Sequence, residues 1–217
     1  VRDMSDQILL IGGGGHCKSV LDSLLELNKY LDVGIIDKKD NIGSSVLEVP
    51  VVGCDDDLPV LFNNGYKYAF VTVGSIGSPT LRVKLYNILS EIGYEFPSII
   101  DSSAKVSKYA NIEKGVFIGK QSLVNAGSLI QKGAIINSGA IIEHDCQIGA
   151  FAHIAPGAVL GGGVTVGENS HIGSNVTIKQ RVKIGSNSII GMGSVVLQNI
   201  EDNIMAYGNP CREVKKL

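Results

Sequence analysis

Hydrophobic positions in this chain follow two different rules, and the change comes near residue 100. From Ile100 to Val196 every sixth residue is Ile, Val or Leu, and the frame never slips. The fifth residue of each six is small or slender, as at Ala104, Ala110, Ser122, Ala140, Cys146 and Ser170. The second is often glycine, as at Gly119, Gly149, Gly161, Gly167, Gly173, Gly185 and Gly191. A period of six suits neither an α-helix nor a half-buried strand. It predicts a solenoid of parallel β-coils in which one branched residue per six points inward and stacks on its copies. A small residue at the fifth position is expected to fit the tight turn, where Gly or Asn relaxes the backbone. One six cannot bury its apolar residue alone, so the coils are stable only jointly.

Before residue 100 the pattern alternates between short apolar runs and helical stripes. Gln7 to Ile11 is a strand ending in Gly12-Gly13-Gly14-Gly15-His16. A helix follows, with Val20, Leu21, Leu24, Leu25 and Leu27 on one face, then a strand from Val33 to Ile36 closing at Asp37. This is a βαβ unit. Val49 to Gly53 is a further strand, and Asp55-Asp56-Asp57 begins a turn or helix cap. A parallel strand from Tyr68 to Val73 ends at Gly74-Ser75. The spacing then predicts a helix over 79–92 with Leu81, Leu85, Ile88 and Leu89 inward and Arg82 facing the mouth of the sheet.

Ligands of open α/β sheets collect at the carboxyl ends of the strands. Gly14, His16, Asp37, Gly74 and Ser75 all map there, with Arg82 facing the same mouth. Free N–H groups at the glycine turn favour an anion such as a diphosphate. Gly12 and Gly14 fit the first two glycines of a dinucleotide fingerprint, but Cys17 fills the third slot and no second mononucleotide half follows. One nucleotide diphosphate fits better; a glycine turn used only for packing is the rival. The expected division is 1–97, 98–202 and a capping tail at 203–217, with Val1 to Asp6 a frayed start.

Composition removes several classes. The 217 residues carry a net charge of −2 with no basic block, which disfavours nucleic acid. No apolar run reaches membrane-spanning length, and no signal-peptide pattern opens the chain. Cys17, Cys54, Cys146 and Cys211 fit neither a zinc site nor a disulfide framework, so no metal is expected and a reduced, cytoplasmic protein is.

Three of the four histidines lie in the solenoid, none at an inward position. His171 reads as solvated decoration. His144 stands between Glu143 and Asp145. A carboxylate beside an imidazole fixes its tautomer and makes it a better proton acceptor. Such a base suits proton removal from an attacking amine or hydroxyl. No nucleophile motif surrounds it, so direct attack on a thioester is the simpler route. A structural or ice-binding coil, or a sugar-nucleotide-binding solenoid without activity, is the non-enzyme alternative.

Four stretches together resemble one family: Gly-Gly-Gly-Gly-His (12–16), Ile-Glu-His-Asp-Cys-Gln-Ile-Gly (142–149), His-Ile-Ala-Pro-Gly-Ala-Val-Leu-Gly-Gly (153–162) and Tyr-Gly-Asn-Pro (207–210). Over nearly its whole length the chain is similar to bacterial hexapeptide-repeat sugar acyltransferases. These include nucleotide-sugar N-acetyltransferases and sialic acid O-acetyltransferases. The resemblance implies a Rossmann-like α/β domain followed by a left-handed parallel β-helix with three sixes to each coil. It implies acetyl-CoA as donor and homotrimers with active sites between subunits. The implied acceptor is the amino group of a nucleotide-linked sugar, a UDP-4-amino-4,6-dideoxy sugar for surface glycan or glycoprotein synthesis. The enzyme alternative is sialic acid O-acetylation. Residue by residue, His144 matches the base and Asp145 its acidic neighbour, where the family often has Glu. Asn137 matches a polar residue of the same cleft and His153 a contact to acetyl-CoA. Gly173, Ser174, Gly191 and Met192 match the pantetheine path, and Gly14 to His16 with Asp37 and Lys38 match the nucleotide-sugar pocket.

Overall fold

A computed structural model describes residues 6–217. Val1 to Ser5, where most of the expected frayed start falls, lie outside them. By its contacts the chain divides into two units. One runs to Gly74 and resumes at Thr80–Ile99; the other holds Ser75–Pro79 and Ile100–Leu217.

The first unit is an α/β sheet. Its elements are β1 (Gln7–Ile11), α1 (Gly15–Leu27), β2 (Asp32–Ile36), β3 (Ser45–Val46), β4 (Val49–Gly53), α2 (Leu58–Asn63), β5 (Tyr66–Val71) and α3 (Thr80–Ile92). The sheet order is β3-β4-β2-β1-β5, parallel except for the short edge strand β3. The chain steps from β1 to one side and returns to the other, so the loop after β1 sits at a topological switch point. Ile8, Leu9, Leu10 and Ile11 are all fully buried, as a strand covered on both faces requires.

Both helices turn their stripes slightly from the expected positions. In α1 the inward set is Cys17, Val20, Leu21, Ser23 and Leu24, and Leu25 is exposed. In α3 the inward set is Arg82, Leu85, Tyr86 and Leu89, while Leu81 is exposed. The i, i+3, i+4, i+7 spacing is kept, but it is anchored on Arg82 rather than Leu81. Tyr86 stacks on Phe96 with ring centroids 3.9 Å apart, which holds α3 in that rotation.

The second unit is a parallel β-helix. Strands β6 (Ile99–Ile100) through β22 (Val195–Val196) recur every six residues, each made of the sixth and first positions of the repeat. A strand pairs with the one three further on, so a coil is 18 residues and three sheets run along the prism. First-position residues from Ile118 onward are buried, and each contributes about 1.5–3 kcal/mol. Fifth-position residues point inward with them. Where that residue is serine its hydroxyl ties coils together: Ser170 Oγ donates to Gly185 O at 2.6 Å and accepts Ser188 N–H at 2.9 Å.

The relaxed backbone lies one residue before the expected position. From Gly115 to Gly193 every fourth position has positive φ, held mainly by Gly or Asn and otherwise by Gln121, Asp145, Phe151 and Arg181. Second-position glycines have a different cause. A Cβ at Gly149 would lie 2.5 Å from Glu168 N on the next coil. Two further strands, β23 (Ile204–Gly208) and β24 (Cys211–Lys216), join the end of one sheet. No helix among the described residues is long and apolar enough to cross a membrane.

Candidate active site

The glycine turn after β1 is held on three sides. Gly12 N–H donates to Ile36 O at 2.8 Å, and Thr72 Oγ1 donates to Gly12 O at 2.7 Å. Gly13 N–H donates to Asp37 Oδ2 at 3.2 Å, while Asp37 Oδ1 accepts Lys38 N–H at 2.7 Å. The four glycines have different reasons. Gly12 has φ +107 and no room beside Val73; a Cβ on Gly13 would meet the Asp37 carboxylate. Around Gly14 and Gly15 nothing lies within 4 Å of a Cβ. Packing explains the first pair and leaves the second pair facing open space at the start of α1.

His16 lies near this turn, its Cβ 3.9 Å from where a Cβ on Gly74 would stand. Burial, and then the positive charge of Arg82, pull its pKa down to about 4. Arg82 is itself buried, which lowers it to about 10. The structure therefore gathers Gly14, Gly15, His16, Asp37, Lys38 and Gly74 at the carboxyl end of the sheet, with the Arg82 charge within reach of His16. Ser75, which belongs to the second unit, is buried, and its Oγ lies 3.5 Å from His153 Nδ1.

In the solenoid, residues 143–146 turn the corner between the sheets of Ile141–Ile142 and Gln147–Ile148. His144 projects from that corner with its side chain 65% exposed. Its Nδ1 lies 2.8 Å from Asp145 Oδ2, a contact in which Nε2 takes no part. Asp145 has φ +60, so it occupies the left-handed corner slot, a conformation Asp tolerates. That backbone turn lets the short Asp side chain reach back to its neighbour. Glu143 is held by Asn125 Nδ2 at 2.9 Å.

His153 sits on one sheet of the prism and is 6% exposed. Asn137 Oδ1 accepts Ser138 N–H at 2.9 Å, so its amide nitrogen faces His153 Nε2 at 3.3 Å. His171, one coil on, is not solvated decoration. Its ring packs edge-on against His153 at 4.9 Å, its Nδ1 is enclosed, and burial lowers its pKa. The reason is register: both occupy the sixth position of consecutive coils.

Asn137, Gly173, Ser174, Gly191 and Met192 line a different corner from His144, between the sheets of Ile135–Ile136 and Ile141–Ile142. Within one chain the two corners border the sheet of Ile141–Ile142 on its opposite sides. At Gly173 and Gly191 the missing Cβ is explained by stacking, since it would meet Met192 N at 2.6 Å or Tyr207 Cβ at 2.7 Å. Above Asn137 the second-position column still reads Ala155, Gly173, Gly191, so no long side chain obstructs a narrow ligand along it. Met192 beside it is 80% exposed. All four cysteines are free, and among the described residues no group of three or more His, Cys, Asp or Glu could hold a metal ion. Gly162, which turns out to lie against His144, was not singled out from sequence; its offset of 18 residues from His144 was the available signal.

An α/β unit with a glycine turn at its switch point, followed by a β-helix of sixes with an exposed His–Asp pair, defines a hexapeptide-repeat acyltransferase. Residues 7–89 match the family described as PglD N-terminal domain, and 127–162, 145–180 and 163–198 match Bacterial transferase hexapeptide (six repeats). The chain belongs to the sugar acyltransferases of this family, which combine that N-terminal domain with a left-handed β-helix. It is 37% identical to perosamine N-acetyltransferase from Caulobacter crescentus, solved as a mutant in complex with CoA and GDP-perosamine, over 97% of each chain with a TM-score of 0.91. The acetyltransferase domain of PglB from Neisseria gonorrhoeae FA1090, solved with acetyl coenzyme A, is 31% identical over 97% of this chain and 100% of that one, TM-score 0.90. WeeI from Acinetobacter baumannii AYE shares the fold at 23% identity, covering 95% of this chain and 99% of its own, TM-score 0.84. No curated protein sequence gives a significant match.

Proposed function

We propose that the protein transfers an acetyl group from acetyl-CoA to the amino group of a nucleotide-linked 4-amino-4,6-dideoxy sugar. The similar enzyme from Caulobacter crescentus is described with CoA and GDP-perosamine, and the PglB domain with acetyl coenzyme A. The observation that carries the reading is the His144–Asp145 pair, 2.8 Å apart, with Nε2 unclaimed and the ring exposed.

Acetyl-CoA supplies the activated acetyl group as a thioester. His144 Nε2 takes a proton from the sugar nitrogen as that nitrogen bonds to the acetyl carbon, and returns it to the departing thiol. Asp145 holds the Nδ1–H tautomer throughout. His153, Ser174 and Met192, with the bare backbone at Gly173 and Gly191, hold the donor. Gly14, Gly15 and His16, with Asp37, Lys38, Gly74 and Arg82, hold the nucleotide diphosphate of the acceptor. Residues 1–97 form the acceptor-binding domain and 98–202 the transferase domain, while 203–217 cap the last coil. The working form is a cytoplasmic homotrimer. His144 on one corner and Asn137 and His153 toward another favour a site completed by a neighbouring subunit.

A thiol-release assay over UDP- and GDP-linked amino sugars and free sialic acid tests this. Turnover is expected with a nucleotide amino sugar. Turnover with sialic acid alone would make the enzyme an O-acetyltransferase, and no release with any acceptor would leave a binding solenoid.

A further inference from the structure

We propose that Gly162 is a positioning residue for His144, its absent side chain being the seat of the imidazole. The proposal rests on the reading of His144 as the base. Gly161-Gly162-Gly163 form one corner turn, and the three glycines have three causes. A Cβ on Gly161 would lie 2.8 Å from Gln180 N on the next coil. Gly163 has φ +70. Gly162 has neither restriction. The three atoms nearest its Cβ position all belong to His144: Nε2 at 2.5 Å, Cε1 at 2.6 Å and Cδ2 at 3.2 Å.

The register explains the meeting. Gly162 is in the third slot of its six, one coil beyond His144 in the same slot, and Gly163 N–H donates to His144 O at 2.8 Å. On the other side Ser128 clamps the turn that carries the base. Its Oγ donates to Glu143 O at 2.8 Å and accepts Cys146 N–H at 3.1 Å. Asp145 N–H donates to Ala126 O at 3.0 Å. The backbone around His144 is thus fixed from both neighbouring coils, and only the ring can yield to an added methyl. It would yield at Nε2, the atom that must meet the amine, and the swing would also break the contact to Asp145.

The test is Gly162→Ala in the full-length enzyme. Displacing a base by a fraction of an ångström to an ångström is expected to lower kcat by roughly 10- to 100-fold. CoA affinity by calorimetry and the thermal midpoint should be unchanged. The side-chain nitrogen NMR signals of His144 should show loss of the fixed Nδ1–H tautomer. In a His144→Ala background the same substitution should cost nothing more. Wild-type kcat with an unaltered His144 signal would overturn the proposal. So would an equal loss in both backgrounds, which would mean that the methyl obstructs a substrate. Should His144→Ala keep full turnover, the base reading fails instead, while the His144 signal in Gly162→Ala still decides whether the seat exists.

Discussion

Asn137 presents its amide nitrogen to Nε2 of His153 at 3.3 Å, and the orientation is fixed because Asn137 Oδ1 accepts Ser138 N–H. His153 Nε2 is therefore the acceptor and Nδ1 carries the proton toward Ser75. A ring whose one lone pair is engaged is a poor base but a stable wall for a ligand. His153→Ala is expected to raise the donor KM by roughly tenfold through the loss of that packing wall, with a smaller effect on kcat. Steady-state kinetics decide it; a kcat collapse at unchanged KM would move the base to His153.

His144→Ala should lower kcat by roughly 10²–10⁴-fold, the usual span for a general base. Because the ring stands off the corner, circular dichroism and the thermal midpoint should not change. Asp145→Asn keeps a group at the same corner and should cost less. Near-full turnover in His144→Ala would show that the acceptor loses its proton elsewhere.

The four glycines of the first turn should separate into two pairs. Gly12→Ala meets both φ +107 and Val73 Cγ2 at 2.7 Å, and a strain of about 1–3 kcal/mol is expected. Gly14→Ala and Gly15→Ala have open space and no positive φ, so stability should hold or rise. Their acceptor KM should rise with CoA affinity constant. Unchanged acceptor KM in both would leave the turn a packing device.

Acid should weaken the first unit through His16. In the unfolded chain a histidine titrates near about 6.5, and in the fold His16 does so at about 4. Between those values the unfolded chain binds a proton the folded one refuses, so stability falls as pH drops from about 6.5 towards 4. From about pH 7 to pH 5 the loss is about 2 kcal/mol. His171, lowered by burial, should act on the second unit in the same direction. Denaturant melts at the two pH values for wild type and His16→Gln check this; the variant should show the flatter dependence, and parallel slopes would refute it.

The repeat was legible because Ile, Val and Leu carry the frame without a break, and a period of six admits no other architecture. The strands β1, β2 and β4 and the glycine turn were legible for the same local reasons. What the sequence concealed lies in contacts between coils. Nothing local in Gly162 says that His144 lies one coil below it, and His171 looks exposed until His153 is placed one coil below. Arg82 misled the assignment of the α3 face because a charge inside is the exception. The fourth-position turn was visible as recurring Gly and Asn, but the small fifth residue beside it drew the reading one place too far.

The two-corner arrangement has a genetic consequence. If the base stands on one edge of the prism and the donor-binding side chains on another, no chain needs both intact in order to take part in a working site. Two alleles, one with His144→Ala and one with His153→Ala, would each be impaired alone. Expressed together they should complement under the proposed assembly, in which a mixed trimer would contain junctions where an intact His144 meets an intact His153 from the neighbour. The unit on which selection acts would then be the junction between chains rather than the chain.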